Sequence, residues 1–239
     1  MKYKSLKLLT ESEEGYGVIC EWNTSRGPSG SLSLDLQSKE ILREFEEKGK
    51  DTNTIFMNCI LQKCNTENRN GRYYPNHILE REDKKYQELI KEGRALSELN
   101  HPSESIIDLQ NCSHRIIKTW WDNNTLMGIL EVLTSPGYHK SGVISCKGDI
   151  AADLLRRGVK LGISSRGVGS LKMTQGKNTV QDDFELICYD LVSSPSTPGA
   201  FLYPGEVNLN ESISNKENIL INENMGKSNL IKSLDKFLL

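Results

Sequence analysis

Two neighbouring runs of β-forming residues constrain the fold of this chain more than any other feature. Residues 113–121 (SHRIIKTWW) and 125–133 (TLMGILEVL) are rich in β-branched and aromatic side chains, and only DNN separates them. This pattern is typical of a β-hairpin, in which the two strands pair antiparallel. Residues 159–173 and 179–192 are two more β-forming runs, joined by the turn-forming sequence TQGKN, and they predict two further strands.

Helices interrupt these strands without a regular alternation of strand and helix. Residues 76–92 carry apolar side chains at helical spacing, and residues 148–158 predict a compact helix with Asp149 as its N-cap and a glycine at its end. A doubly wound fold would alternate regularly. The order of elements therefore favours an α+β fold, with a closed or strongly curved, mostly antiparallel sheet and helices packed outside it.

Composition and charge exclude several classes of protein. The 239 residues are 36% hydrophobic and 26% charged, which is ordinary for a globular protein. The formal net charge is -2, and the basic residues are interspersed with acidic ones, which argues against nucleic acid as a ligand. The sequence shows neither the apolar core of a signal peptide nor a membrane span. We therefore expect a protein made in the cytoplasm, with no nucleic acid and no membrane as partner.

The cysteines are scattered and form no Cys-x-x-Cys pair, so we interpret them as reduced thiols, several of them buried. They and the histidines show no spacing typical of zinc ligands, and we expect no metal and no cofactor. A cysteine nucleophile is a competing interpretation, because Cys112 lies two residues from His114. The six cysteines are Cys20, Cys59, Cys64, Cys112, Cys146 and Cys188.

Changes in composition divide the chain into three parts. Residues 1–50 are polar and punctuated by glycine, and we interpret them as an N-terminal arm. Residues 51–204 hold the predicted strands and most of the predicted helices. Residues 205–239 are rich in Asn, Ser, Lys and Glu, with only brief apolar clusters, and they predict a tail beyond the compact domain.

Three distant residues supply what covalent hydrolysis by serine requires, namely a hydroxyl, a base and a group that orients the base. His101 follows a predicted strand and precedes Pro102, and an imidazole titrates near neutral pH. Ser164 lies in the strand KLGISSRG, where alternation directs it and Arg166 away from the apolar side chains. A bulge in this strand would make Ser165 the nucleophile instead.

Asp190 is the candidate orienting group, because it is a carboxylate within an otherwise apolar strand. Burying this charge is costly unless it is paired, either with an imidazole or with an arginine such as Arg166. His114, thirteen residues after His101, is the alternative third member. The order His, Ser, Asp differs from that of the familiar serine hydrolases, which predicts a distinct fold.

Several motifs in order resemble the phage prohead core proteases of the T-even type. They are NRNGRYYP, RALSELNHP, SHRI followed by tryptophans, EVLTSPG, RRGVKLGISSRGVGS and YDLVSSPSTPGA, and together they span about residues 55–203. More distantly, the chain is similar to the herpesvirus assemblin proteases. The resemblance implies a β-barrel surrounded by helices, self-processing, and destruction of the internal scaffold inside the procapsid before the genome is packaged.

Carried over by position, the resemblance implies His101 as base, Ser164 as nucleophile and Asp190 as third member. The herpesvirus enzymes have a histidine in the third place, so Asp190 departs from their pattern. Their oxyanion donor follows the third member; here that region is SSPSTPG and lacks paired arginines. A backbone amide near Gly199, or one beside Arg166, is the candidate donor.

The resemblance also implies cleavage after Leu or Ile, any residue, then Glu. This triplet ends at Glu11, Glu211 and Glu223, so we expect self-cleavage in the tail. Arg166 is a candidate cationic subsite for the substrate glutamate. The expected substrates are the scaffold or core proteins of the procapsid and the major capsid protein, and we expect a homo-oligomer.

Three hypotheses therefore remain at this point. The main one is a serine endopeptidase of the procapsid, and its alternative is a non-catalytic scaffold or tube-like protein that keeps the same barrel. The third is a cysteine hydrolase. We add the hypothesis that the N-terminal arm, residues 1–50, blocks the site before activation.

Overall fold

The computed structural model describes residues 7–8, 15–20, 36–52, 54–102 and 104–203. These residues lie in one compact unit, Met1–Gly205. The described helices are α1 (Leu36–Thr52), α2 (Asn76–Lys91), α3 (Pro136–Ser141) and α4 (Lys147–Arg156). None of them is long and apolar enough to span a membrane.

The described strands form two sheets. One sheet has the order β1-β2-β8-β9-β4, with β10 also paired to β8, and the other has the order β11-β3-β7-β6-β5. The strands are β1 (Lys7–Leu8), β2 (Gly15–Cys20), β3 (Phe56–Lys63), β4 (Arg72–Tyr73), β5 (Leu96–Glu98), β6 (Cys112–Asp122), β7 (Thr125–Val132), β8 (Gly162–Thr174), β9 (Lys177–Val180), β10 (Glu185–Val192) and β11 (Leu202–Tyr203).

The predicted hairpin is β6 and β7, which pair antiparallel with Trp121 opposite Leu126. The predicted strand at 179–192 is wrong in extent, because it is two strands, β9 and β10. Between them the amide of Phe184 donates to the carbonyl of Gln181 at 3.1 Å, which closes a turn. The Phe184 ring is 1% exposed and packs edge-on against Tyr74. Burial of this aromatic ring offsets the interruption of the ladder.

The predicted α+β class with mostly antiparallel pairing is confirmed, but the described strands do not form one closed sheet. Two isolated bridges join the edges of the two sheets, Leu99 to Leu191 and Gly162 to Phe201. Ladders do not extend from these bridges. Pro102 and Pro195 lie close to them, and proline has no amide hydrogen to donate to a ladder.

The main apolar core contains side chains from both sheets, including Ile60, Leu130, Ile163 and Leu191. Ile41 from α1 is 8% exposed and belongs to the same core. The indole Nε1 of Trp120 donates to Ser38 Oγ at 2.6 Å, so α1 is fixed to β6 by a polar contact as well.

Helix α4 begins at Lys147, one residue before the predicted range, and its N-cap lies three residues before the predicted one. Its N-cap is Cys146, and Asp149 lies at the third helical position, so the prediction of Asp149 as N-cap is wrong. The Asp149 carboxylate accepts hydrogen bonds from the amides of Ser135 and Ser145, at 2.7 and 2.8 Å. Burial raises the pKa of Asp149, but these amides and the two serine hydroxyls outweigh it, so the pKa lies below its ordinary value. Asp149 therefore joins two loops as well as the helix end.

Candidate active site

His101 lies just after β5, in a turn whose backbone is fixed on both sides. Asn100 has a φ of 72°, in the left-handed region that asparagine tolerates better than most residues. Its amide donates to the carbonyl of Leu191 at 2.8 Å, which ties the turn to β10. Pro102 restricts the backbone on the other side. The His101 side chain is 2% exposed, so its ring is held inside the protein beside β10.

Ser164 lies near the start of β8 and is 2% exposed. Its neighbour Ile163 is 0% exposed and packs into the main core, which directs Ser164 to the opposite face. Ser164 Oγ lies 2.8 Å from His101 Nε2. Gly162 permits this packing, because a Cβ there would lie 2.5 Å from the ring of Pro195.

Asp190 lies on β10 directly opposite Ser164 in the antiparallel ladder. Its Oδ2 lies 2.7 Å from His101 Nδ1, so the imidazole bridges the two strands. Burial alone raises the pKa of Asp190. The hydrogen bond and charge of His101, the charge of Arg166 and the amide of Glu98 outweigh that effect and hold the pKa below its ordinary value. An ionised carboxylate only accepts hydrogen bonds, so His101 Nδ1 carries the hydrogen, and Nε2 accepts from Ser164.

Arg166 binds Asp190 through two nitrogens. Nε lies 2.8 Å from Oδ2, and Nη2 lies 3.3 Å from Oδ1. Arg166 Nη2 also lies 2.8 Å from Glu98 Oε1, and Nη1 donates to the carbonyl of Glu104 at 2.7 Å. Burial lowers the pKa of Arg166, but the nearby Cys188 and the carboxylates of Asp190 and Glu98 outweigh it and raise the pKa above its ordinary value. A buried charge arranged in this way is stabilised by its partners.

The contacts of Arg166 disfavour its candidate role as a subsite for the substrate glutamate. Its side chain is 0% exposed, and its nitrogens are committed to Asp190, Glu98 and the Glu104 carbonyl. A substrate carboxylate would have to displace a buried carboxylate to reach it. The contact with Asp190 is the pairing that the sequence left open as an alternative to the imidazole; in the structure one carboxylate has both partners.

Glu98 is the residue of this site that sequence reasoning missed. It is 1% exposed, its backbone amide donates to Asp190 Oδ1 at 2.9 Å, and its Oε1 accepts from the Asp108 amide at 3.0 Å. One signal was present in the sequence, since Glu98 is an acid within a short strand three residues before His101. If β5 had been predicted to be buried, the Glu98 carboxylate would have been expected to have a cationic partner.

His114, the alternative third member, contacts groups other than His101. Its Nε2 lies 2.8 Å from the carbonyl oxygen of Tyr189, and its Nδ1 lies 2.9 Å from Ser113 Oγ, so both ring nitrogens have other partners. Burial lowers the pKa of His114 to about 4, despite the opposing Tyr189 carbonyl and Asp190 charge. His114 is therefore a neutral, buried residue of the hairpin strand β6, and the alternative assignment is not supported.

The two other nucleophile candidates are also placed by the structure. Ser165 is 2% exposed and follows Ser164 in the strand, so it is directed to the other face, and no hydrogen bond joins it to His101 within the described ranges. Cys112 Sγ lies 3.6 Å from the carbonyl oxygen of Asp108. Burial and the nearby acids, Glu98 first among them, raise the pKa of the Cys112 thiol, which disfavours the nucleophilic thiolate.

Gly199 lies in the turn that precedes β11 and has a φ of 81°, a conformation that favours glycine. The next residue, Ala200, accepts a hydrogen bond from the Ile163 amide at 2.8 Å. The turn therefore lies beside the residue that precedes Ser164.

Other predicted features lie apart from this site. A cleft of about 600 Å³ is lined by residues that include Glu131, Thr134, His139 and Cys146, and by none of the three candidate residues. In the part of the chain that the structure describes, no group of three or more His, Cys, Asp and Glu side chains is arranged to hold a metal ion. Glu11, Glu211 and Glu223 lie outside the described residues.

Comparisons with known proteins agree on one family. The family model described as "Prohead core protein serine protease" matches residues 18–212. The prohead core protein protease of Enterobacteria phage T4 is 35% identical over 156 residues, which are 64% of this chain and 70% of that protein. A solved structure of the bacteriophage T4 capsid assembly protease is similar with a TM-score of 0.57 and 28% identity, over 75% of this chain and 99% of that one. The chain therefore belongs to the prohead core protein serine protease family, and it is a peptidase of phage capsid maturation.

Proposed function

We propose that this chain is a serine endopeptidase in which Ser164 is the nucleophile, His101 the general base and Asp190 the residue that orients the base. One observation carries the proposal. Asp190 Oδ2, the two nitrogens of His101 and Ser164 Oγ form a continuous hydrogen-bonded chain, with contacts of 2.7 and 2.8 Å. Both distances lie within the range over which a proton transfers between heavy atoms.

In the first half of the reaction, Ser164 Oγ bonds to the carbonyl carbon of the peptide while its proton moves to His101 Nε2. The imidazolium formed in this step is stabilised by Asp190, which is already ionised and bound at Nδ1. His101 then gives the proton to the leaving amine as the C–N bond breaks, which leaves an acyl-enzyme. A water molecule, deprotonated by His101, releases the acid and restores the Ser164 hydroxyl.

Negative charge develops on the carbonyl oxygen during both steps, and backbone amides are the donors that usually stabilise it. We assign this role to the turn at Gly199. Support comes from the hydrogen bond between Ile163 and Ala200, which holds the turn beside the start of β8. Arg166 is a positioning residue in this mechanism, because its side chain is buried and contacts Asp190.

The substrates in this proposal are the scaffold or core proteins and the major capsid protein of the procapsid, within its interior. Support comes from the relatives, which are described as a prohead core protein protease and a capsid assembly protease. Cleavage after Leu or Ile, any residue, then Glu includes the chain's own tail, after Glu211 and Glu223. The protease domain is residues 51–204, and the active form is a homo-oligomer.

We infer further that the two sheets are parts of one β-barrel. The bridge from Leu99 to Leu191 joins β5 to β10, and the bridge from Gly162 to Phe201 joins β8 to the end of β11. Because β8 pairs with β10 and β11 pairs with β3, these bridges complete a ring that returns to β5 through β7 and β6. In this barrel, the two closures made by a single bridge lie next to His101 and Ser164.

The test is self-cleavage of the purified full chain, followed by intact-mass measurement over time. The expected result is loss of the tail after Glu211 or Glu223 in the wild type, complete absence of this loss in Ser164→Ala, and its retention in Ser165→Ala. Both substitutions remove one buried hydroxyl from adjacent positions of β8, so they are matched in their effect on packing. A wild-type chain that stays intact, alone and with added procapsid proteins, would favour the non-catalytic structural protein instead.

A further inference from the structure

Strand β2 occupies one edge of β8 next to the candidate nucleophile. β2 pairs antiparallel with β8, from Gly15 opposite Leu171 to Cys20 opposite Arg166. The other edge of β8 is taken by β10 from Gly162 to Val168, with Cys188 opposite Arg166. Since the backbone groups of one edge pair with one strand at a time, nothing else can add to this edge while β2 is present.

The direction of β2 is the direction that a substrate would need. β2 runs antiparallel to β8, so its carboxyl end is the end nearest Ser164. It stops opposite Arg166, two positions from Ser164 along β8, which is about 7 Å at the usual rise per residue. A peptide bound in the same way would bring the carbonyl that follows its bound residues to Ser164 Oγ. The acyl half of the substrate would then lie on the edge that β2 now occupies.

We propose that the β8 edge from Arg166 to Leu171 is the binding site for the acyl half of an extended peptide substrate, and that β2 is an internal strand that competes for it. The proposal rests on the peptidase function proposed above. It gives the N-terminal arm a physical means of inhibition, which is occupation of main-chain donors and acceptors by strand addition.

The composition of β2 suits a strand that substrate displaces from the β8 edge. It has six residues, and two of them are Gly15 and Gly17. Glycine weakens a strand because it loses more backbone entropy when the strand forms and has no side chain to pack. On its outer edge β2 pairs only with β1 among the described strands, through two residue pairs, Lys7 with Gly17 and Leu8 with Val18. A longer substrate strand with branched side chains would pair better with the same edge.

A reversible covalent lock tests the competition in the full-length protein. Val18 lies directly opposite Val168, and opposite residues in an antiparallel pair are close enough for a disulfide after small adjustments. The variant Val18→Cys/Val168→Cys is assayed oxidised and reduced on a synthetic peptide of residues 205–217, with intact mass to show the cross-link. The expected result is a loss of kcat/KM of roughly tenfold or more on oxidation, reversed by dithiothreitol, because the binding-competent fraction falls. Val18→Cys alone is the matched control and should not respond to oxidation.

The double variant Gly17→Pro/Val18→Pro tests the opposite case, in which the pairing of β2 with β8 is weakened. Adjacent residues of a strand direct their amides to opposite edges, so the pair removes one donor to β8 whichever residue faces it. The expected result is a KM for the peptide lowered about fivefold or more, with kcat unchanged within about twofold. An oxidised lock as active as its reduced form, or a proline variant with unchanged KM, would overturn the inference and leave the peptidase intact. If neither the wild type nor the proline variant shows cleavage that Ser164→Ala abolishes, the peptidase proposal is wrong. The inference that β2 competes with substrate is then wrong as well, because it rests on that proposal.

Discussion

Ser164 and Asp190 lie directly opposite each other on β8 and β10, so a single antiparallel register places both candidate groups. The His101 ring, carried by a turn of the other sheet, bridges them with contacts of 2.8 and 2.7 Å. The spacing between nucleophile and acid is therefore set by backbone pairing, which is rigid. Only the histidine depends on the loop between β5 and β6.

Replacing Asp190 by asparagine should abolish most of the activity. The ring would lose the acceptor that fixes its hydrogen on Nδ1, and the imidazolium would lose its counter-charge, so kcat should fall by about 10³-fold to 10⁴-fold. The measurement is steady-state cleavage of the 205–217 peptide. Asp182→Asn is the control, because that carboxylate is exposed and contacts only His77 among the described ion pairs. Full activity in Asp190→Asn would contradict the assigned role.

Replacing Arg166 by lysine distinguishes a positioning residue from a substrate subsite. Lysine keeps the charge but cannot contact both oxygens of Asp190 as the planar guanidinium does. We expect kcat to fall by roughly tenfold to a hundredfold while KM stays within about twofold. Arg157→Lys, at the exposed C-cap of α4, should leave both constants unchanged. A raised KM with unchanged kcat would mean that Arg166 binds substrate after all.

Cysteine reagents should leave the peptidase active. The Cys112 thiol has a raised pKa and so stays protonated at neutral pH, whereas a nucleophilic thiol needs a lowered one. We expect Cys112→Ser to keep its activity within about twofold, and iodoacetamide-treated wild type to behave in the same way. The measurement is peptide cleavage before and after treatment, beside a sample treated with a serine-directed fluorophosphonate. Inactivation by iodoacetamide alone would restore the cysteine hypothesis.

The buried His114 should make stability depend on pH below neutrality. Burial lowers its pKa from 6.5 to about 4 in the folded state, so between these values the unfolded chain binds more protons than the folded one. Protonation therefore favours unfolding, and this contribution is lost as pH falls from about 6.5 towards 4. From pH 7 to pH 5 the expected loss is about 2 kcal/mol.

The measurement is urea unfolding at both pH values, in the Ser164→Ala background to prevent self-cleavage. His114→Gln should lose most of this pH dependence, whereas His77→Gln, at an exposed position, should keep it. An unchanged slope in His114→Gln would show that other groups cause the effect.

The sequence by itself was sufficient for features that depend on local chemistry. The hairpin of β6 and β7 could be predicted because its strands are adjacent in sequence and a short turn sets their pairing. The three candidate residues could be selected from their local surroundings. His101 follows a predicted strand, Ser164 lies on the polar face of a strand, and Asp190 is a carboxylate within an apolar strand. The family resemblance implied the role of each.

Only the tertiary structure decided which of these groups meet and what else meets them. Arg166 was free to bind substrate or Asp190 until its side chain was found buried between two carboxylates, and Glu98 was not considered at all. The pairing of β2 with β8, about 150 residues later in the chain, has no local signal either. Long-range pairing is chosen by the total burial and hydrogen bonding of the whole fold, which no short stretch of sequence records. Local propensity thus determined the parts of this protein, and non-local packing determined the site.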